Sequence, residues 1–337
     1  MQTLSEGHTG NHPSKSIPVE VVFSLAREFD ANPVVAEVAG YSLTPQAATD
    51  GKGYDLHLTF ASPLDSEVRV CNPDTEVELL RSFLSLVLNS RLELRSLRIA
   101  GADFPGNGAN DQSSRIRHHT PTDLSEVPGL LSGLLALDLE TGRQVLRASR
   151  AYSTGLQALR TDATLAFFLL TVAIECLSSQ DKIISFEELH PDRKKCERFC
   201  QFIRRFLPPE FKGEDEQNPD LMTELLKNIY YTHRSGFVHG GTEVSKACHL
   251  ADEIGSSYFR NVVKGSDTKT PGIIWFANVV RGSILGFLTS GASLAAAGSV
   301  GPSVIQAVAR EMSTLTLIAA GPIAAGTLVT TKHVHCR

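Results

Sequence analysis

The stretch Asp162-Ala-Thr-Leu-Ala-Phe-Phe-Leu-Leu-Thr-Val-Ala-Ile-Glu-Cys-Leu-Ser178 decides the fold predicted for the second half of the chain. Asp162 is a residue type that caps helix starts, so the stretch predicts a helix over Ala163–Ser178. Apolar residues recur there at the three- and four-residue spacing of a core-facing helix stripe. They are Leu165, Phe168, Leu169, Val172 and Cys176.

Glu175 shares that stripe, because it follows Val172 by three residues and Phe168 by seven. A carboxylate that faces a helical core is costly unless a cation pairs with it. Arg234, near the end of a later helix, is the predicted partner. The pair indicates either a functional centre or a structural ion pair that holds two helices together.

Four more helices are predicted around this one, over residues 143–160, 193–206, 273–288 and a segment opened by Asn218 and Pro219. The last of these runs towards Gly240 and Gly241, which suit a helix end. Five helices with short to medium connections indicate a bundle.

The first part of the chain has a different pattern. Alternation of apolar and polar residues predicts strands over 54–60, 68–70 and 92–99, and helical spacing predicts a helix over 75–88 capped by Asp74. The fold class is therefore α+β, with a mixed N-terminal α/β unit followed by a mainly α-helical bundle. The predicted divisions are disorder over 1–18, a mixed domain over 19–104, a linker over 105–130, a helical domain over 131–289 and a small-residue-rich segment over 290–337.

Charge is distributed unevenly along a chain whose composition is that of a soluble globular protein. Residues 1–140 carry 10 Lys/Arg against 19 Asp/Glu, a balance of −9, whereas residues 141–337 carry 22 against 18, a balance of +4. An anionic partner would be drawn to the second part.

The polar N-terminus predicts a cytoplasmic protein. Residues 312–331 are uncharged over a membrane-spanning length, but Ala, Gly, Thr and Ser dominate them, so a membrane role is not expected.

Arg234 and His239 form the pattern that carries chemistry. On an ideal helix their side chains would diverge by roughly 140°, but Gly236 and the glycine pair after His239 could relax that geometry. Arginine offers a planar donor fork to a phosphate, and histidine exchanges a proton near neutral pH. The spacing alone also occurs by chance.

A basic segment begins just before the predicted 193–206 helix and continues through most of it. Residues 190–205 have a local balance of +4, which could follow a phosphate backbone or could form an ordinary solvated face. The predicted RNA-binding residues are Arg193, Lys194, Lys195, Arg198, Arg204 and Arg205.

Six cysteines show neither a disulfide framework nor a metal-binding pattern. Cys196 and Cys200 lie four apart on a predicted helix and could point the same way. No second Cys or His pair stands at zinc spacing, so buried thiols are preferred over a metal site, and no metal or cofactor is expected.

Two segments together resemble a known family. The run Ala166-Phe-Phe-Leu-Leu-Thr-Val-Ala-Ile-Glu-Cys-Leu-Ser178 and the later Tyr230-Tyr-Thr-His-Arg-Ser-Gly-Phe-Val-His-Gly-Gly241 look like the HEPN domains of the Apea-like group. The resemblance extends over residues 143–288 and leaves both ends of the chain unassigned.

The resemblance implies a helical, commonly dimeric domain of defence and toxin systems, which is often a metal-independent endoribonuclease. In that family the motif arginine and histidine form the active site, here Arg234 and His239, with support from Ser235 and Glu175. Many catalytic members carry asparagine where this chain has Ser235, and some relatives only bind RNA, nucleotides or a protein partner. That non-catalytic role is the alternative.

The expected chemistry needs two proton-transferring groups, whereas one motif supplies a single histidine. Cleavage by the 2′-hydroxyl of RNA requires a base, an acid and a cation beside the charged phosphorane. Two facing protomers would supply two histidines and two arginines, so a homodimer with a composite site is predicted. Residues 1–130 are predicted to act as a sensor of a phage or another regulatory trigger, or as a specificity module. A structural or membrane-associated protein that uses residues 282–331 is the third reading.

Overall fold

The computed structural model of the chain describes residues 16–25, 36–38, 40–48, 54–63, 73–105, 124–159, 161–180, 183–184, 194–209, 219–235, 272–292 and 304–319. These residues form a six-stranded antiparallel sheet and eight α-helices, so the predicted α+β class is confirmed. Their buried apolar side chains make one contiguous core.

The sheet has the strand order β2-β3-β4-β1-β5-β6, so that the first strand of the chain lies near its centre. All neighbouring strands are antiparallel. The strands are β1 Ser16–Leu25, β2 Ala36–Val38, β3 Tyr41–Ala47, β4 Tyr54–Pro63, β5 Glu93–Ile99 and β6 Ala102–Pro105.

Strand β1 holds the sheet together through one apolar face. Its buried residues alternate along the strand, and Val21 lies opposite Leu58 of β4 and Leu97 of β5. The predicted disorder of residues 1–18 is wrong for 16–18, because β1 begins at Ser16 and pairs with β4 from that residue on. The strands predicted at 54–60 and 92–99 are present as parts of β4 and β5, while 68–70 lies outside the described residues.

The helices follow in chain order. They are α1 Pro73–Val87, α2 Val127–Leu135, α3 Leu139–Ala158, α4 Ala163–Ser178, α5 Lys194–Phe206, α6 Pro219–Asn228, α7 Ile273–Ala292 and α8 Val304–Ala319, and α6 continues as a π-helical segment over Ile229–Ser235. Helix α7 is central, because it packs against α2, α4 and α5, while α8 packs against α1 and α3.

Helices α2, α3 and α8 depart most from the predictions. Helix α2 begins inside the predicted linker 105–130, because Pro128 stands in its first turn, where proline is tolerated. Helix α3 begins before residue 143, because the Asp138 side chain accepts a hydrogen bond from the Thr141 backbone N. Helix α8 lies in the segment expected to be small-residue-rich and was not predicted. The division of the chain into domains stays a prediction.

Helix α7 completes the carboxyl end of α1. Arg281 donates from Nε to the carbonyl oxygen of Leu86 at 3.0 Å and from Nη2 to that of Val87 at 2.6 Å. The last carbonyls of a helix have no partner within the helix itself. Just beyond, Asn89 has a left-handed φ of 47° and accepts a hydrogen bond from the Tyr152 hydroxyl at 2.7 Å. The part of the chain that carries α1 and the sheet is therefore hydrogen-bonded directly to helices α3 and α7.

Glu76 is a buried carboxyl group between α1 and the sheet, with 2% of its surface exposed. The Tyr41 hydroxyl donates to its Oε1 at 3.1 Å, and the Ser62 hydroxyl donates to its Oε2 at 2.9 Å. Gln306 of α8 also hydrogen-bonds to it. Burial raises the pKa of Glu76 above its ordinary value of 4.5, against the opposing effect of these hydrogen bonds.

Replacing Glu76 with glutamine is expected to remove a pH-dependent part of the stability. Because the folded-state pKa is raised, the stabilising contribution is complete below pH 4.5 and is lost as the pH rises through the folded-state pKa. Within that window the free energy of unfolding should fall by up to about 1.4 kcal/mol per pH unit in the wild type. Urea unfolding followed by circular dichroism at stepped pH values measures this slope.

Glu78→Gln is the matched control, because Glu78 lies two residues away on the same helix with its side chain half exposed. The control should keep the wild-type slope, and the Glu76→Gln variant should lose it. An unchanged slope in Glu76→Gln would show that this carboxyl group does not set the pH dependence.

One helix among the described residues is long and apolar enough to cross a membrane, the window Ile273–Ser290 of α7. Two thirds of that window is buried against the rest of the protein, as in the core helix of a globular fold. The uncharged stretch 312–331 is described only as far as the end of α8.

Candidate functional site

Helix α4 carries Glu175 close to its carboxyl end. The helix begins where predicted, and the Asp162 side chain accepts a hydrogen bond from the Leu165 backbone N at 2.9 Å. That cap fixes the start of the helix, so Glu175 is reached three turns later, beside the segment that follows α6.

The side of α4 that includes Glu175 is only partly buried. The stripe predicted to face the core is partly exposed at all five positions, Leu165, Phe168, Leu169, Val172 and Cys176. The fully buried side consists of Ala166, Phe167, Leu170, Ala173, Ile174 and Leu177. The predicted orientation is therefore wrong, because α4 is apolar on nearly every side and spacing alone cannot select the inward one.

The segment after α6 is wound as a π-helix over Ile229–Ser235. Hydrogen bonds in a π-helix join residues five apart instead of four, and such turns are frequent at functional sites. This winding places Tyr230 and Arg234 beside each other, with the Arg234 Cζ atom 5.6 Å from the centre of the Tyr230 ring. Both side chains then reach the same carboxylate on α4.

Glu175 binds both of these side chains. The Tyr230 hydroxyl donates to Glu175 Oε1 at 2.6 Å, and Arg234 Nη2 donates to Oε2 at 3.4 Å. Arg234 Nε lies 3.1 Å from Oε1, although its direction does not make a hydrogen bond. The predicted pairing of Glu175 with Arg234 is present, and Tyr230 is a third member that the motif does not mark.

Within this cluster the Tyr230 hydroxyl keeps its proton. Tyr230 is 4% exposed. Burial first, and then its hydrogen bond to Glu175 and the nearby negative charge, raise the pKa of Tyr230 well above its ordinary value. The tyrosine therefore stays protonated and remains a donor to the carboxylate at physiological pH.

Arg234 keeps donor capacity beyond its ion pair. Its side chain is 20% exposed and that of Glu175 is 21% exposed. A guanidinium has five N–H donors, and among the described residues only Nη2 makes a hydrogen bond with Glu175. Because Nε is buried, the N–H groups left for an anion are those of Nη1 and Nη2, while Glu175 and Tyr230 hold the side chain in place.

Two motif residues lie at and beyond the end of the described segment. Ser235 is the last residue of the π-helical segment and is partly buried. His239 lies outside the described residues, so its convergence with Arg234 stays a prediction.

Two of the predicted RNA-binding arginines on α5 have structural partners. Arg198 Nη1 donates to the carbonyl oxygen of Ser179 at 3.0 Å, and Arg205 Nη1 donates to that of Ile183 at 2.9 Å. Cations at the carboxyl end of a helix satisfy carbonyls and oppose the helix dipole. Arg198 therefore caps the end of α4, and Arg205 fixes the segment after it.

The other α5 candidates differ in what the structure describes. Lys195 and Arg204 are exposed, and an RNA contact by them stays a prediction. Arg193 and the side chain of Lys194 lie outside the described residues.

Two exposed arginines that the sequence did not single out lie on α3. Arg147 and Arg150 are exposed and one turn apart. Arg147 acts electrostatically on Cys176, the residue after Glu175. By contrast, Arg143 on the same helix forms a bidentate ion pair with Glu311 of α8. Arg147 of α3 therefore places a positive charge near the end of α4 that carries Glu175.

No group of three or more His, Cys, Asp or Glu side chains that could hold a metal ion occurs within the part of the chain that the structure describes. Comparisons with protein-family models, curated proteins and solved structures give no match. The geometry around Arg234 is therefore the basis on which a function can be proposed.

Proposed function

We propose that this protein is a metal-independent endoribonuclease of the Apea-like HEPN type. The observation that carries the proposal is Arg234, which Glu175 and Tyr230 hold in place while part of its donor fork remains open to an anion. His239 follows five residues later in the chain. Together these residues offer a phosphate-binding cation and a group that transfers protons near neutral pH.

The reaction that fits these groups is transesterification by the RNA's own 2′-hydroxyl. A base removes the 2′-hydroxyl proton, the 2′-oxygen attacks the adjacent phosphorus, and the 5′-oxygen of the next nucleotide leaves with a proton from an acid. Arg234 stabilises the additional negative charge on the phosphorane, because a prepositioned cation needs no reorganisation when that charge develops. The products are a 2′,3′-cyclic phosphate and a 5′-hydroxyl.

A homodimer would supply both the base and the acid. Each protomer contributes one motif histidine, so two facing protomers would place two histidines and two Arg234 side chains around one phosphate. We assign the dimer contact to the partly exposed apolar side of α4, because Glu175 lies on the same side of that helix. Burying this stripe against a second copy would remove apolar surface from water at the edge of the site.

The proposal is tested by incubating purified full-length protein with total RNA in EDTA. Fragments with 2′,3′-cyclic phosphate and 5′-hydroxyl ends are expected. His239→Ala should reduce cleavage by about 10²- to 10⁴-fold, the usual contribution of general acid–base catalysis. His233→Ala, which alters another histidine of the same segment, is the control and should cleave normally. Undiminished cleavage by His239→Ala would overturn the assignment, and a monomer that cleaves fully would overturn the composite site.

A non-catalytic RNA- or nucleotide-binding module is the second candidate, and Ser235 favours it because it replaces the asparagine of many catalytic members of the resembled family. In the same assay this candidate predicts RNA binding, measured by filter retention, with no cleavage in the presence or absence of EDTA. Cyclic-phosphate products would reject it.

RNA is proposed to run along α3 on its way to the site. The double variant Arg147→Ala/Arg150→Ala should weaken binding and reduce the slope of log affinity against log salt by roughly 0.7 for each lost single-strand phosphate contact. Arg81→Ala, whose arginine pairs with Glu78 on α1, is the control and should keep the slope. The variant Lys195→Ala/Arg204→Ala tests the α5 path, and a larger loss there would reverse this assignment.

The N-terminal part is proposed to sense a phage or regulatory trigger in the cytoplasm. The support is a series of contacts that connects α1 of the N-terminal part with the helix that carries Glu175. Arg281 of α7 bonds the end of α1, and α7 packs against α4, which carries Glu175.

A further inference from the structure

Cys196 and Cys200 form a pair of buried thiols on α5. They are 1% and 4% exposed, they are free cysteines, and they hydrogen-bond to each other. Residues four apart on a helix lie on the same face, so the helix itself sets this pairing. The site described above does not use either thiol.

Several groups converge on the sulfur of Cys196. The Cys200 thiol and the Tyr231 hydroxyl both donate hydrogen bonds to it, and the positive charge of Lys227 acts on it. These contacts lower the pKa of Cys196 despite its burial, with the Cys200 hydrogen bond as the largest cause. The same hydrogen bond, followed by burial, raises the pKa of Cys200. Of the two thiols, Cys196 is therefore the one that ionises more readily, because Cys200 and Tyr231 donate to its sulfur and Lys227 is near.

Cys176 is a partly exposed thiol whose pKa is nevertheless raised. Desolvation is the main cause and the charge of Glu175 adds to it, while Arg147 and a backbone hydrogen bond oppose it. Thiols in apolar surroundings are inert, whereas reactive thiols lie near cations and hydrogen-bond donors. Cys196 has the surroundings of the second kind.

The thiol pair is bonded to the π-helical segment that carries Arg234. Tyr231 donates to Cys196 and precedes Arg234 by three residues. Phe199, between the two cysteines, packs on the Tyr230 ring with 5.4 Å between centroids. Tyr231 is 47% exposed, so one hydrogen-bond partner of the buried Cys196 sulfur reaches the surface. A change at the sulfur is thereby transmitted to both tyrosines of the segment.

We propose that Cys196 and Cys200 form an oxidation site for a hydroperoxide, which converts the pair into a disulfide. The Cys196 thiolate attacks one peroxide oxygen, the O–O bond breaks, and protonation of the leaving oxygen gives water or an alcohol. Cys196 is then a sulfenic acid. Cys200 attacks that sulfur, the S–O bond breaks, the thiol proton leaves with the hydroxyl as water, and the S–S bond forms. Two thiols are oxidised by two electrons, and the peroxide is reduced.

Helix geometry determines the consequence. Side chains four apart on a helix have Cβ atoms about 5–6 Å apart, whereas a relaxed disulfide needs about 3.5–4.5 Å. Closing the bridge therefore distorts α5, and a strained disulfide is readily reduced again. It also removes the thiolate that accepts the Tyr231 hydrogen bond. Resting on the proposed function, we expect oxidation to lower RNA cleavage reversibly by displacing Arg234.

The test treats the full-length reduced protein with hydrogen peroxide and follows intact mass. A loss of about 2 Da, reversed by dithiothreitol, is expected for one disulfide, and peptide mapping should place it between Cys196 and Cys200. In Cys200→Ser, a sulfenic acid should accumulate on Cys196 and be trapped by dimedone. In Cys196→Ser, neither product should form. Tyr231→Phe keeps both thiols, and removal of its donor should slow the reaction.

Cys176 is the internal control, since it stays reduced if the surroundings of Cys196 decide reactivity. Oxidation of Cys176 before Cys196, or two unchanged thiols under native conditions, would overturn the proposal. The mass measurement does not involve RNA. A disulfide in a protein that never cleaves RNA would therefore support the oxidation site and reject the proposed ribonuclease, whereas cleavage by a protein whose thiols do not react would do the reverse.

Discussion

Arg234→Lys should cleave RNA at least about 100-fold more slowly than the wild type while it remains folded. Lysine keeps the positive charge beside Glu175, so the carboxylate is not left without a partner. It lacks the planar donor fork, which allows Arg234 to bind Glu175 and an anion together. Removing a single prepositioned donor of this kind commonly costs 10²–10³-fold in rate, or about 2.7–4 kcal/mol. Initial rates on a defined RNA, beside thermal unfolding, measure both properties.

The lysine variant separates catalysis from structure better than alanine does. Arg234→Ala would also leave Glu175 with Tyr230 as its only described hydrogen-bond partner, and an unpaired carboxylate destabilises the fold. Arg81→Lys is the matched control on a distant arginine that also pairs with a glutamate. If Arg234→Lys and Arg234→Ala lowered stability but left cleavage unchanged, the pair with Glu175 would be purely structural.

Gly286→Ala is expected to have the largest effect on stability, a loss of about 3 kcal/mol or more. Gly286 lies in α7 where its backbone approaches the end of α5, and an added Cβ would overlap the carbonyl oxygen of Phe206. A backbone atom cannot rotate away as a flexible side chain can, so the two helices would have to separate. The free energy of unfolding from urea titration measures the loss.

Gly129→Ala is the matched control, because the same glycine-to-alanine change is expected to raise stability at this position. Gly129 lies inside α2, and an added Cβ would meet no atom within 4 Å. Alanine costs less conformational entropy than glycine in a helix, so a gain of about 0.5–1 kcal/mol is expected. Equal effects of the two variants would show that the contact of α7 with α5 is looser than described.

Much of the fold follows from local sequence signals. Helix α4 was predicted to the residue, because Asp162 marks its start and its side chains pack at every turn. The sequence pattern does not mark strand β1, although Val19, Val21 and Phe23 alternate along it, because the polar residues before it indicate disorder. Helix α2 was missed because Pro128 and Gly129 resemble turn signals, whereas packing against α7 stabilises a helix there.

The candidate site was only partly predictable. The charge of Glu175 on an apolar helix identifies it and Arg234 as partners, but the stripe expected to face the core is only partly buried. Tyr230 was counted as one apolar position of a helix, since nothing in the spacing distinguishes a ring that also donates to a carboxylate. The roles of Arg198 and Arg205 depend on carbonyls that only the folded chain brings near.

The bond between Arg281 and the end of α1 has a consequence for the order of synthesis. The carbonyl oxygen of Leu86 also accepts a hydrogen bond from the nearby Asn89 backbone N, whereas the recorded partner of the Val87 carbonyl is Arg281, which is synthesised 194 residues later. Domains generally begin to fold as they emerge, but the last turn of α1 cannot be completed until most of the chain has been made. We therefore expect this end of α1 to stay exposed to solvent during translation until α7 has been made and packs against it.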